Sequence, residues 1–408
     1  MKKRNITVGI DIGTNFIKAG VAQVFSDGTI NVLGIVKVPA NGLRKGNIID
    51  IDSTAKSIDE ALIQLESLTG ITSYAAIIGF AGSNIVSINN HAIVAVGNQG
   101  NEIGIGDKER VLQSAQNIAL SPDKSIIQII ERQYIIDSYD GVKDPIGMAG
   151  SRLEVEIAVI ISPTAAIQNL YRSTQKINLP VIKACYNPLL AAEVVLFPVE
   201  KEMGIVLLNL GGGTTNISFF EKGSLLHTSV LPIGGDYITK DLAIVLKTSM
   251  QEAARIKEEY GLADVNLAKE DEIVTIHNIQ GTDTKEVATI TIAEIIAARV
   301  YEILELVFLE MERFGCIGKM PGGIVLTGGG AHLDGIINVI EEYLNIPVRL
   351  GLPDKILNLS NEFRDPQYAN VLGALKCSAK FIDISYQEVK GVSKIVDRIS
   401  YFFRDLFS

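Results

Sequence analysis

Two short runs carry residue types that could hold a phosphate: VLLNLGGGTTNISFF over 206–220 and IDIGTNFIKAG over 10–20. In each, an apolar strand enters a glycine turn bearing hydroxyl and amide side chains and leaves as a second strand. Glycines let the backbone approach a ligand closely and aim several N–H groups at one anion. Thr214 and Thr215 add hydroxyl donors. Thr14, Asn15 and Lys18 could do the same from the other run, Lys18 with a full positive charge. A P-loop would need GxxxxGK[ST] before a helix, and a dinucleotide fingerprint needs GxGxxG before a helix. The first does not occur, and ISFF after the second turn continues as strand. Either turn alone could be a hairpin with glycines for geometry only; the matching pair, with TGGG at 327–330, favours a ligand site.

Periodicity indicates the elements that position these runs. Residues 5–25 read as two strands about a tight turn, 53–69 as a helix with a Ser/Thr start, and 74–82 as a strand closing a first unit. A differently organised block covers about 83–160. It holds a strand pair in NIVSINNHAIVAV (84–96), a helix opened by Asp107, a strand over 125–137, the polar loop DPIGMAGSR and a last strand over 153–161. This block reads as an insertion with its own small sheet. From Pro163 helix and strand alternate again through TAAIQNLYRSTQKI, VIKACY and LLAAEVVLF. The glycine run, a hairpin, a helix-rich section over 240–315 and GGIVLTGGGAH before the helix DGIINVIEEYL complete the series. The repeated strand–turn–strand unit predicts two related halves facing each other across a ligand cleft.

The chain has 408 residues, too many for one compact core, and its 47% hydrophobic and 21% charged content is that of a folded protein. A net charge of −10 argues against nucleic acid as a partner. Cys185, Cys316 and Cys377, far apart and odd in number, suit reduced thiols in a cytosol. The histidines His91, His227, His277 and His332 form no pair at zinc-ligand spacing. No signal-peptide run opens the chain, and no stretch nears the ~20 apolar residues of a spanning helix. The body of the protein is therefore expected in the cytoplasm.

A second signal lies in GVSKIVDRISYFFRDLFS, residues 391–408. Val392, Ile395, Val396, Ile399, Phe402, Phe403, Leu406 and Phe407 recur at helical spacing on one face; Lys394, Asp397, Arg398, Arg404 and Asp405 take the other. Such a helix is too short and too charged to span a bilayer and suits its interface, with basic residues toward anionic headgroups. A terminal helix docked on its own domain would show the same pattern.

DIGTNFIKAG, NLGGGTTNI and VLTGGGAHLDG, in that order, resemble the two phosphate loops and the adenosine loop of the actin superfamily. KDPIGMAGSRLEVE, LPIGGDYITKDLA and IAEIIAARVYEILELV are similar to the FtsA family of actin-like bacterial division proteins. The resemblance implies an α/β, actin-like two-lobed fold, with duplicated ribonuclease H-like halves around a nucleotide cleft and an inserted small α/β subdomain. The first lobe would take 1–82, 161–196 and 360–383, and the insert 83–160. The second lobe would take 197–235 and 316–359, with 236–315 as its helix-rich subdomain. Residues 384–391 would be a short linker to a membrane-targeting helix over 392–408, whose basic side is Lys394, Arg398 and Arg404.

By the same resemblance, ATP and Mg2+ are the implied ligands. Asp11 would stand near the metal and its waters, and Gly13, Thr14, Asn15 and Lys18 around the phosphates. Gly212, Gly213, Thr214, Thr215 and Asn216 would form the second phosphate loop. Gly235 and Lys257 would approach ribose and base, and Gly329, Gly330 and Ala331 would close over the adenosine. Arg299 falls where the family meets the C-terminal peptide of the tubulin-like FtsZ; a solvated arginine on an amphipathic helix is the plain alternative. Further implied partners are a second copy in a filament, an anionic membrane surface, and other division proteins through the insert.

Three positions depart from the superfamily pattern. Asn209 stands where an aspartate usually precedes the glycines, Asn187 where Glu or Gln often places the attacking water, and Ala254 where a Glu often meets the ribose. None of these can accept a proton from water, so nucleotide binding with slow or negligible turnover is expected. The implied role is a tether of the FtsZ ring at the cytoplasmic face of the membrane. Its rivals are PilM, the related type IV pilus assembly protein, and an actin-fold phosphotransferase or ATP-driven chaperone.

Overall fold

The computed structural model describes residues 6–72, 75–97, 102–269 and 271–388. The apolar stripe over 392–408 lies outside them. The chain opens with β1 (Ile6–Ile12) and β2 (Phe16–Val24), antiparallel from Ile6↔Gln23 to Ile12↔Ile17, and β3 (Ile30–Pro39) continues the meander. A small hairpin, β4 (Leu43–Arg44) and β5 (Asn47–Ile48), leads into α1 (Ile51–Thr69). The cap of α1 is Asp50, ahead of the Ser/Thr run: its carboxylate accepts from the Asp52 and Ser53 amides. This satisfies two of the orphan donors at a helix start. The strand β6 (Ala76–Phe80) then returns parallel to β1.

The insert comprises β7 (Val86–Ala95), α2 (Ile105–Gln116), β8 (Lys124–Ile136), β9 (Tyr139–Val142) and β10 (Arg152–Pro163). Residues 84–96 are one strand rather than the expected pair. Asn89, Asn90 and His91 look like a turn, but each points out of a strand paired along its whole length with β10. Asn90 donates to the Ala115 carbonyl of α2 at 2.6 Å, and His91 meets Glu154 at 2.8 Å. A helix carbonyl and a cross-strand carboxylate thus engage Asn90 and His91, while Asn89 is exposed. Nor is the insert's sheet separate. Its core, around Val111, Tyr134 and Val155, is its own, but β7 pairs with the second lobe at Ser229↔Val86.

After the insert come α3 (Thr164–Lys176), β11 (Val181–Tyr186), α4 (Asn187–Val195) and α5 (Pro198–Met203). The second meander is β12 (Ile205–Leu210), β13 (Thr215–Glu221) and β14 (Ser224–Leu231). Next are α6 (Gly235–Val245), α7 (Met250–Tyr260), the hairpin β15 (Ile273–His277) with β16 (Thr284–Ala288), and α8 (Thr289–Arg313). The helix-rich section therefore also carries a two-stranded sheet. The chain ends with β17 (Ile324–Thr327), α9 (Ile336–Leu344), β18 (Val348–Leu350) and α10 (Ala369–Glu388). The last of these stays helical to Glu388, through the first part of the expected linker.

The duplication is visible in strand order. One sheet runs β11-β6-β1-β2-β3 and the other β18-β17-β12-β13-β14 before the insert strands extend it. Both are an antiparallel meander with two parallel strands added on the same side. Because most of these strands are covered on both faces, they read as near-continuous apolar runs. Ile10, Ile17 and Ile78 are fully buried in the first core, Val206, Ile217 and Leu326 in the second. Each such side chain contributes about 1.5–3 kcal/mol.

Candidate nucleotide site

Both glycine turns lie at the ends of first strands, β1 and β12, and the sheets bring them face to face. The approach leaves no room for a Cβ unless a neighbouring group shifts. A Cβ on Gly212 would stand 2.4 Å from the Asn15 amide, and one on Gly213 2.6 Å from the Thr14 hydroxyl. The helix α6 enters the joint by its N-terminus: the Gly235 amide donates to the Gly211 carbonyl at 2.9 Å and that of Asp236 to Gly212 at 2.8 Å. Asn15 Nδ2 donates to Asp236 Oδ1 at 2.5 Å, tying the first lobe's turn to the second lobe's helix.

Beneath the turns is Asp11, 2% exposed. Lys18 Nζ stands 3.5 Å from Asp11 Oδ2, and Asn187 Nδ2 donates to Oδ1 at 2.8 Å. Asn370 Nδ2 lies 3.4 Å from both carboxylate oxygens, and Asn209 Nδ2 donates to Asn370 Oδ1 at 3.3 Å. The floor of the cleft is one carboxylate, one lysine and a ring of amides. The Oδ1 atoms of Asn187 and Asn216 are buried without a partner. An orphaned buried acceptor costs about 1–3 kcal/mol, so these two oxygens are places for a bound donor. No cluster of three or more His, Cys, Asp and Glu side chains suited to a metal ion occurs among the described residues. A cation here would be held by Asp11 and water together with the phosphates it neutralises.

The cleft encloses about 590 Å³, and its wall includes Asp11, Gly13, Thr14, Asn15, Lys18, Gly212, Thr214, Asn216, Gly235, Lys257, Gly329 and Gly330. Asn187 and Asn209 line it as well. Gly213, Thr215 and Ala331 stand behind the wall. Gly213 packs on Thr14, Thr215 is fully buried and donates to the Ile233 carbonyl at 2.8 Å, and Ala331 belongs to the second core. At the far end Lys257 donates to Thr239 Oγ1 at 2.8 Å and the Gly235 carbonyl at 3.3 Å. Burial pushes its ammonium below the usual lysine range.

Several wall residues escaped the sequence reading, Lys37, Glu258 and Asn370 among them. Lys37 sits directly opposite Lys18 in the β2–β3 register, and burial and then Lys18 itself lower its pKa. Pairing the two strands on paper would have found it. Glu258, one turn after Ala254 on α7, lines the cleft and offers the carboxylate that Ala254 lacks. Nothing in DPQYANVLG marks Asn370; its role exists only because α10 starts beside the end of β1.

Arg299 is not an unpaired surface cation. Its Nε and Nη2 meet Asp241 at 2.6 and 3.0 Å, and it also pairs with Glu302. Its guanidinium stands 5.5 Å over the Tyr237 ring, which Lys45 of the first lobe approaches at 5.3 Å.

Paired meanders, facing glycine turns and the cleft between them define an actin-like fold. Two solved structures share it. One is a PilM-PilN type IV pilus biogenesis complex, at TM-score 0.65 and 15% identity over 91% of this chain and 98% of that one. Another is MreB 5 of Spiroplasma citri bound to AMPPNP, at 0.55 and 13% over 95% and 99%. Sequence goes further. The family model described as Cell division protein FtsA matches residues 206–373, and that of the SHS2 domain inserted in FtsA matches 82–161. The Cell division protein FtsA of Pseudomonas aeruginosa is 37% identical over 368 residues, 90% of this chain and 88% of that protein. For the Bacillus subtilis protein of the same description the figures are 37%, 381 residues, 93% and 85%. The chain belongs to the FtsA family of cell division proteins. PilM, at 15% identity, is akin in fold only.

Proposed function

We propose that this protein binds Mg-ATP in the cleft, assembles with copies of itself, and tethers the FtsZ ring to the cytoplasmic face of the membrane at the division site, with little ATP turnover. The observation that carries the nucleotide part is the floor of the cleft. Asp11 and Lys18 supply charge for a hydrated cation and phosphate, while the groups around them are amides that cannot take a proton. The bound AMPPNP of the MreB 5 structure supports the same reading by analogy of fold. In this mechanism nucleotide spans turns from both lobes and fixes their relative orientation, and through it the contacts between copies. The tether part rests on family membership and on the amphipathic run over 392–408. A form ending at Gly391 should bind ATP as the full chain does and lose sedimentation with anionic vesicles. Vesicle binding that survives the truncation would return that run to the role of a docked helix.

Arg299 is proposed as the contact for the acidic C-terminal peptide of FtsZ. The peptide would have to displace Asp241, so Arg299→Glu should weaken peptide binding about tenfold or more, whereas Asp241→Asn should strengthen it. Fluorescence anisotropy with a labelled peptide reads both; an unchanged affinity in Arg299→Glu would remove this residue from the interface.

A further inference from the structure

Two of the three cysteines meet behind the cleft floor. Cys185 lies near the end of β11, two residues before Asn187, and Cys377 lies on α10, about two turns after Asn370. Both side chains pack into one small apolar cluster with Ile77, Leu190 and Ala374, and the two thiols are hydrogen-bonded to each other. Cys185 is buried and Cys377 half-buried. Cys316 stands apart, in the core of the second lobe.

Close packing holds the pair in place. A Cβ on Gly9 would stand 2.9 Å from the Ala374 side chain, and one on Gly373 would stand 2.0 Å from the Leu190 carbonyl. Seated this tightly on β1 and α4, α10 has no room to slide, so Cys377 stays beside Cys185. A thiol that donates to a neighbouring sulfur favours the thiolate there. The hydrogen bond to Cys377 and then burial push the Cys185 thiol well above its usual range. The proton therefore leaves from Cys377, the less buried of the two. Thiolate character, access to solvent and a second cysteine alongside are what make a cysteine sensitive to peroxide.

We propose that Cys185 and Cys377 form a peroxide-sensitive dithiol, whose reversible disulfide ties β11 to α10 and so restrains Asn187 and Asn370 at the cleft floor. The Cys377 thiolate attacks hydrogen peroxide: an S–O bond forms, the O–O bond breaks, and the departing hydroxide takes up a proton as water. The Cys185 sulfur then attacks the Cys377 sulfur. The S–O bond breaks, the Cys185 proton leaves with that oxygen as a second water, and the S–S bond closes. The two thiols together lose two electrons, and one peroxide gains them. A small thiol of the glutathione class reopens the bond by exchange, as expected of a transient disulfide in a reducing compartment. The effect on the cleft rests on the nucleotide reading. Asn187 and Asn370 both donate to Asp11, and a cation arriving there needs those amides to yield, which a covalent tie behind them hinders.

Full-length protein treated with hydrogen peroxide and then denatured should retain one titratable thiol of its three, and a thiol reductant should restore the other two. Mass spectrometry should find the loss of two hydrogens and a cross-linked peptide joining Cys185 to Cys377. Cys185→Ala should stop the reaction at a Cys377 sulfenic acid, which dimedone traps, and Cys377→Ser should leave Cys185 unoxidised. The oxidised protein should bind Mg-ATP about fivefold more weakly than the reduced form, a modest coupling between two sites. Three thiols surviving peroxide, a bridge between copies, or a bridge that includes Cys316 would overturn the dithiol. A Cys185–Cys377 bridge with unchanged Mg-ATP affinity would overturn its effect on the cleft. No Mg-ATP binding in either state would remove the nucleotide reading, and that effect with it, while the bridge itself would stand.

Discussion

Lys18→Ala should weaken Mg-ATP binding by about 10- to 100-fold, measured by titration calorimetry at fixed free magnesium. A hydrogen bond to a charged group contributes about 1.5–3 kcal/mol, and in this cleft the lysine has a second duty. It stands 3.5 Å from the Asp11 carboxylate, which is 2% exposed. Removing it leaves that charge beside neutral amides and facing an anionic ligand, so the loss should lie toward the upper end of that range. Two comparisons separate these effects. Lys37→Ala should cost only a few-fold, because Lys37 donates to Gln367 at 2.9 Å and stands 4.1 Å over the Phe16 ring, engaged away from the floor. Combining Lys18→Ala with Asp11→Asn should recover part of the affinity in the absence of magnesium and none in its presence. If folded Lys18→Ala binds ATP as the parent does, the phosphates lie elsewhere and the site is wrongly assigned.

The part of the fold most legible in sequence was the part that repeats. A strand–turn–strand unit with glycines in the turn needs no tertiary knowledge to be seen twice, and the two sheets repeat it strand for strand. The insert was harder. Asn89, Asn90 and His91 carry turn chemistry, yet Asn90 caps a helix carbonyl and His91 meets Glu154. Only the register with β10 decides between turn and strand, and register is a long-range property. The cleft divides in the same way. Glycines and Lys18 announce themselves because close approach and charge are local needs. Asn370 does not, since an asparagine in the first turn of a helix is ordinary until the helix is placed against Asp11. Arg299 was visible as a basic residue on an amphipathic helix, but its engagement by Asp241 belongs to another helix, 58 positions earlier in the chain.

Asn209→Asp should raise single-turnover phosphate release from bound ATP by about 10- to 100-fold. The residue lies opposite Asn216 in the β12–β13 register and is 5% exposed. Its neighbour Asn370 already donates to Asp11 and accepts from Asn209. Turning the Asn370 amide over would let it donate to the new carboxylate, so the substitution needs no new space. The exchange adds a second buried acid near Asp11, and two like charges in a dry site raise the pKa of one of them. That makes it a better base near neutral pH, and general-base help is typically worth ~10²–10⁴-fold. The lower figure is expected here because Asn187, on the other side of Asp11, still presents an amide. The same repulsion should make the ligand-free variant less stable than the parent, with Mg-ATP restoring the difference, since the cation would stand between the two acids. Adding Asn370→Ala should abolish the gain by leaving nothing to orient the new carboxylate toward the attacking water. Unchanged release from an Asn209→Asp protein that binds ATP normally would mean that the missing acid does not limit turnover, and the slow chemistry would then have to be traced to the orientation of the two lobes.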